Sequence, residues 1–226
     1  MRADEAIIGL MTVPPTDNTV ASPRALPRVS LSASPRASRK RDILLAALDC
    51  FDATGVELAT IGDIQKAAGC SVGSLYHHFG SKEGVAEALW LLLIEEFNQT
   101  MLKSMRRAKS GEAAVRGVVL AYVAFSVRMP KSMRYLNARD IDFSPAGNER
   151  KQALHREYIE AVFNFFAPFA RNGEIAQLPL HVYVPLISGP IESYVRRWLA
   201  GEAPSPKKVA TLFADAAWNA VKGHQH

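Results

Sequence analysis

A chain of 226 residues, 48% hydrophobic and 22% charged, has the length and composition of one extended globular domain or a small domain joined to a larger one. Two cysteines, Cys50 and Cys70, are too few for a disulfide scaffold, no run of 18 apolar residues occurs, and the acid-bearing N-terminus lacks a signal-peptide core. These features exclude a stapled secreted fold and a membrane partner, make a cytoplasmic home the expectation, and leave a net charge of +5 that permits a polyanionic partner without requiring one.

Residues 1–37 are rich in Pro, Ser and Ala, show no helical or strand period, and read as a disordered arm. Between residues 24 and 41 there are six basic residues (Arg24, Arg28, Arg36, Arg39, Lys40, Arg41) and no acid, so the arm either adds phosphate contacts, with Arg39 and Lys40 at its junction, or is a plain solvated tail or an overlong start.

From Ser38, a possible cap, a helix carries Ile43, Leu44, Ala47, Leu48 and Phe51 on one face and stops at Gly55. Thr60 and Asp63 form a capping box that opens a short helix, with Ile61, Ile64, Ala67 and Ala68 as its apolar side and Gly69 as its end. Only Cys70 separates that glycine from the next cap, Ser71. The following helix, 72–78, turns Leu75 and Phe79 inward and Val72, Ser74 and His77 outward, which makes a helix-turn-helix. Ser81 then caps a helix over 82–107, roughly 38 Å at 1.5 Å per residue, too long to serve the small head alone.

Further helices are predicted at 113–128, 131–138, 149–170, 180–200 (with Pro185 and Pro190 inside it) and 206–221. No stretch reads as a strand. The fold class is all-α, with an N-terminal three-helix head at 38–84 containing the helix-turn-helix, joined by the long helix to a C-terminal helical domain at 85–226.

The helix opening at Ser71 has the dimensions to enter a major groove. Thr60 and Ser71 lie at helix N-termini, where a hydroxyl and free amides can receive a phosphate oxygen, and Lys82 adds charge beside another such terminus. Tyr76 and His77 offer a phenol and an imidazole on the exposed side. Val72 suits a thymine methyl and Ser74 a hydroxyl bond to a base edge, while Gly73 lets the backbone come close.

The stretch from Thr60 to Glu83, TIGDIQKAAGCSVGSLYHHFGSKE, resembles the DNA-binding signature of the TetR/AcrR family of bacterial transcriptional regulators, and the patterned match covers about residues 39–85. The resemblance implies that Thr60, Tyr76 and Lys82 contact phosphates, that Val72 and Ser74 face bases, and that His77 touches either. It implies a helical body that dimerises through its last two long helices and binds a small molecule. Cys70 departs from the branched aliphatic usual at its position, and the Pro-rich extension is longer than the family requires.

In that body an aromatic and methionine cluster (Tyr122, Phe125, Met129, Met133, Tyr135, Phe143, Tyr158, Phe163, Phe166) marks either core or the lining of a pocket for an apolar or aromatic effector. Two apolar stripes, Leu186, Ile187, Ile191, Tyr194 and Trp198, then Leu212, Phe213, Ala216, Ala217 and Ala220, exceed what one buried face needs and predict a homodimer. The partners expected are a double-stranded DNA operator, a small effector and a second copy. No cofactor is expected, and no metal, since adjacent His77 and His78 point about 100 degrees apart on a helix. No phosphate-binding glycine loop or nucleophile arrangement supports an enzyme. An effector-free architectural DNA-binding protein is the alternative.

Overall fold

The computed structural model describes residues 35–138 and 141–223, and their regular elements are helical. In chain order these are α1 (Pro35–Leu58), α2 (Ile61–Ala68), α3 (Val72–Phe79), α4 (Lys82–Arg106), α5 (Gly111–Arg128), α6 (Pro130–Leu136), α7 (Pro145–Arg171), α8 (Leu180–Leu199), a 3-10 turn (Pro206–Lys208) and α9 (Ala210–Val221). The arm expected over residues 1–37 lies outside the described residues as far as residue 34. Its last three residues are already helical, so α1 begins at Pro35 rather than at a Ser38 cap, because proline's fixed φ suits a first helical turn. Gly55, at φ 81° and ψ 162°, breaks α1 where the stop was expected.

The described residues form two compact units. The first holds residues 35–95 together with Lys131–Ala153. Its centre is apolar: Ile43, Leu44, Ala47, Leu48 and Phe51 of α1 are buried with Ile64 of α2, Leu75 of α3 and Val85 and Leu89 of α4. The ring of Tyr135 stacks on Phe51 at 5.7 Å, and its hydroxyl donates to the Ala86 carbonyl at 2.9 Å. Lys131 pairs with Asp49 at 2.6 Å, Phe143 meets Trp90 edge-on at 5.3 Å, and the Ser144 amide donates to Glu87 at 2.6 Å. The compact unit they hold runs past the boundary expected at residue 84. The head keeps α4 as far as Glu95 and takes α6 and the start of α7 as well.

The second unit holds residues 96–130 and 154–223. Here α5 packs closely on α8 and α9, with Val115, Val118, Val119, Ile187, Ile191, Val195, Ala214 and Ala217 buried. Phe97 sets its edge against Tyr122 and Phe125, each at 5.3 Å, and Phe166 stacks on Tyr183 at 6.4 Å. Arg116 joins Glu112 at 2.7 Å and also Asp215. A lone antiparallel bridge, Ile175 with Lys222, fastens the end of α9 to the turn after α7.

Candidate nucleic-acid interface

Both α2 and α3 are capped by a hydroxyl side chain at the N-terminus and by a glycine backbone amide at the C-terminus. The Thr60 hydroxyl accepts from the Asp63 amide at 3.2 Å, while the Thr60 amide and hydroxyl donate to the Asp63 carboxylate at 3.0 and 2.7 Å. Those bonds hold the Asp63 carboxyl below the usual carboxylate range. A phosphate oxygen reaching Thr60 must therefore compete with Asp63 for the hydroxyl proton.

Gly69 ends α2 in the left-handed region, φ 56° and ψ 42°, which only glycine adopts at little cost. Cys70, 8% exposed, fills the turn, and Ser71 caps α3 by accepting from the Ser74 amide at 3.2 Å. Leu75, 1% exposed, anchors α3 in the core, and this fixes which face looks outward. That face carries Val72 and Tyr76, 43% and 51% exposed and one turn apart, with exposed Gly73 and His77 beside them; Ser74 is half-buried. A side chain added at Gly73 would meet no atom within 4 Å.

Three cations expected to reach phosphates are engaged inside the head. Arg39 donates to the Gly69 carbonyl at 2.9 Å, Lys82 donates to the Glu57 carbonyl at 2.8 Å, and the Lys40 ammonium lies 5.3 Å from the centre of the Phe79 ring. All three partners are uncharged, so the positive charges stay uncompensated by them while the chains around the turn are tied together. Two features escaped the sequence reading. Leu58 is 77% exposed two residues before the Thr60 cap, and a Cβ at Gly84 would overlap the Phe79 carbonyl oxygen. The Gly84 amide bonds the Ser81 hydroxyl at 3.1 Å, so α4 starts against the end of α3 through a residue that must lack a side chain.

Residues 43–89 match the family described as bacterial regulatory proteins, tetR family. The repressor KstR2 of Rhodococcus jostii is 35% identical over 79 residues, which are 35% of this chain and only 32% of KstR2. The repressor Rv1474c of Mycobacterium tuberculosis is 30% identical over 192 residues, covering 82% of this chain and 94% of the relative. The chain belongs to the TetR family. The family and these relatives are DNA-binding transcriptional regulators, not enzymes. Its fold is that of solved regulators: FadR of Bacillus subtilis, crystallised in complex with stearoyl-CoA, superposes with a TM-score of 0.69 at 15% identity over 80% of this chain and 98% of that one.

The residues expected to line an effector pocket in this TetR-family chain are shared between the two units. Met133, Tyr135 and Phe143 belong to the head unit, where Tyr135 and Phe143 pack on Phe51 and Trp90. Phe163 is 41% exposed on α7. Tyr122, Phe125 and Phe166 are buried in the second unit, with Met129 and Tyr158 half-buried there. The stripes expected at a dimer interface also divide. Ile187, Ile191 and Ala217 are at most 3% exposed within one chain, being the face that packs on α5, so they belong to the protomer's own core. Leu212, 66% exposed, and exposed Ala216 and Ala220 form the outer face of α9, while Leu186, Tyr194, Trp198 and Phe213 are half-buried.

Proposed function

We propose that this TetR-family regulator binds a palindromic operator as a homodimer, represses nearby genes by occluding their promoter, and is released by a small apolar or aromatic effector. The observation that carries the reading is the outward face of α3, where Val72, Gly73, Tyr76 and His77 stand clear of the core between two side-chain-capped helix N-termini. In this reading Val72, Gly73 and Ser74 meet base edges. Thr60, Ser71, Tyr76, His77 and Lys82 meet phosphates, with Arg39 and Lys40 behind them. Half-site centres then lie about 34–36 Å apart, or somewhat more, on one face of the duplex.

The exposed apolar face of α9, Leu212, Ala216 and Ala220, supports the second copy. The aromatic interior around Tyr122, Phe125 and Phe166 supports an effector site in the second unit, and the acyl-CoA complex of FadR, similar in fold, is consistent with a ligand-responsive body. Among the described residues no single helix is long and apolar enough to cross a membrane.

Selection of bound duplexes from a random pool, followed by anisotropy titration of the winner, tests the reading. A palindrome bound at a ratio of two chains per duplex is expected. Recovery of unrelated sequences bound no better than the starting pool would refute it, and a specific duplex that no compound in a panel of amines, acids, alcohols and acyl-CoAs releases would leave the effector-free alternative.

A further inference from the structure

Inside the second unit, three helices bring polar side chains into an otherwise apolar interior. Tyr122 of α5 is 5% exposed, Glu192 of α8 is 9% exposed, and Tyr158 of α7 is half-buried. The helices that carry Tyr122 and Glu192, α5 and α8, pack closely on each other. Burial pushes the Tyr122 phenol far up, and the Glu192 carboxylate, then Tyr158, push it further, while Arg196 opposes them. Burial likewise raises the Tyr158 phenol and the Glu192 carboxyl.

None of these groups has a hydrogen-bond partner among the described residues. Glu192 has one ionic neighbour, the Arg196 guanidinium at 3.9 Å, which is too long for a hydrogen bond and is 41% exposed. The Ser188 hydroxyl, one turn earlier on α8 and 8% exposed, has no partner either. Buried polar groups are normally bonded, and a buried carboxylate is normally paired. Only Ser132, in the other unit, has a side-chain polar atom that is both sealed and unbonded among the described residues. The unbonded oxygens of Tyr122, Tyr158, Ser188 and Glu192 are therefore not sealed, and they border space that water reaches. The Phe97 ring stands edge-on to both Tyr122 and Phe125, so aromatic faces lie beside the Tyr122 phenol.

We propose that this cluster is the head-group subsite of the effector site and that its ligand is an organic cation, an alkyl- or arylammonium with an apolar body. The inference rests on the reading of the second unit as the effector-binding body. An anionic head would meet the Glu192 charge with only a solvated arginine to answer it, and a neutral head would leave that arginine as the carboxylate's one ionic partner. An ammonium supplies a second, closer partner, donates hydrogen bonds to the phenol and serine oxygens, and sits against aromatic rings that favour cations.

The test is calorimetric titration of the full chain with 4-phenylbutylammonium, 4-phenylbutan-1-ol and 4-phenylbutanoate, which share one apolar body and differ only in the head. The ammonium is expected to bind about tenfold more tightly than the butanoate. Glu192→Gln should reduce ammonium affinity about tenfold and change alcohol affinity by less than about twofold. Tyr122→Phe should weaken the ammonium in the same sense, and it carries the comparison if Glu192→Gln fails to fold.

Equal affinity for the three heads, preference for the butanoate, no binding up to about 5 mM, or an equal loss for all three in Glu192→Gln overturns the proposal. Operator affinity measured alongside separates it from the regulatory reading. Ammonium binding that Glu192→Gln removes, with operator affinity unchanged, upholds the subsite and overturns the regulatory role. Operator release by the butanoate or by stearoyl-CoA that Glu192→Gln does not affect overturns the subsite and upholds the role.

Discussion

Arg134 of α6 grips Asp52 of α1 with both arms of its guanidinium, Nε to Oδ1 at 2.7 Å and Nη2 to Oδ2 at 2.9 Å. The two residues are 82 positions apart in sequence, and with Lys131 and Asp49 they fasten α6 to the first helix of the DNA-reading head. The Arg134 hydrogen bond holds the Asp52 carboxyl below its ordinary 3.8. A depressed folded value adds stability that is fully present above 3.8 and lost as the pH falls through the lower, folded value. Asp52→Asn is expected to cost about 1 kcal/mol at neutral pH, discounted because the Arg134 side chain is 44% exposed. Urea titrations at neutral pH and below pH of about 4 should show the wild-type advantage shrinking in acid.

Gly73 separates folding from reading. It sits in the first turn of α3 with open space around it, so Gly73→Ala should stabilise the free protein by about 0.5–1 kcal/mol through helix propensity and a less flexible unfolded chain. The same methyl stands on the face proposed to approach the bases. Thermal melting should therefore rise while operator affinity falls, and a rise in both would remove Gly73 from the interface.

Side chains of α3 and of the start of α4 should split by what they touch. Tyr76→Phe and Lys82→Gln are expected to weaken binding to specific and random duplexes alike, with Lys82→Gln lowering the salt slope by about 1. Val72→Ala and Ser74→Ala should instead change which bases a selection recovers. Equal losses on all duplexes for the latter pair would place them on the backbone.

Assembly and folding should respond to different residues of the last two helices. Leu212→Glu puts a charge on an exposed apolar site and is expected to yield a stable monomer in sedimentation at micromolar concentration. Ile191→Ala empties a site 1% exposed within the chain and should cost about 2–5 kcal/mol of stability. A Leu212→Glu dimer would move the interface off α9.

Removal of residues 1–34 leaves α1 whole. It should flatten the salt dependence of DNA binding, because Arg24 and Arg28 leave with it, and keep the selected sequence the same. Identical affinity at low and moderate salt with and without the segment would make it a bystander.

The head was legible because its signals are local. Thr60, Ser71 and Gly69 each act within four residues of their own position, and all three cap the helices they were expected to cap. Prolines were harder to read. Pro35, Pro130 and Pro145 each begin a helix, yet Pro35 was counted with the arm and the other two with the breaks between helices, so α1 and α7 start three and four residues earlier than expected. Ser144, whose hydroxyl accepts from the Gly147 amide at 3.0 Å, was the cap that could have shown α7 its start.

The effector body was less legible because its partners come from far along the chain. Nothing near Tyr135 says that it will stack on Phe51, so aromatic content alone could not separate the two units. Glu192 did leave a trace. With Ser188 it falls at helical spacing among Ile187, Ile191 and Val195, a position for a buried residue, and a carboxylate there asks for a reason.

The bare backbone at Gly84 sets a limit on redesign. Since the Phe79 carbonyl occupies the place of any side chain at that position, the angle at which the reading helix leaves α4 is fixed by an atom that is missing. Attempts to retarget the protein to a new operator can therefore randomise residues 72–74 with the scaffold intact, whereas a library that also varies residue 84 would discard most of its members before any of them met DNA.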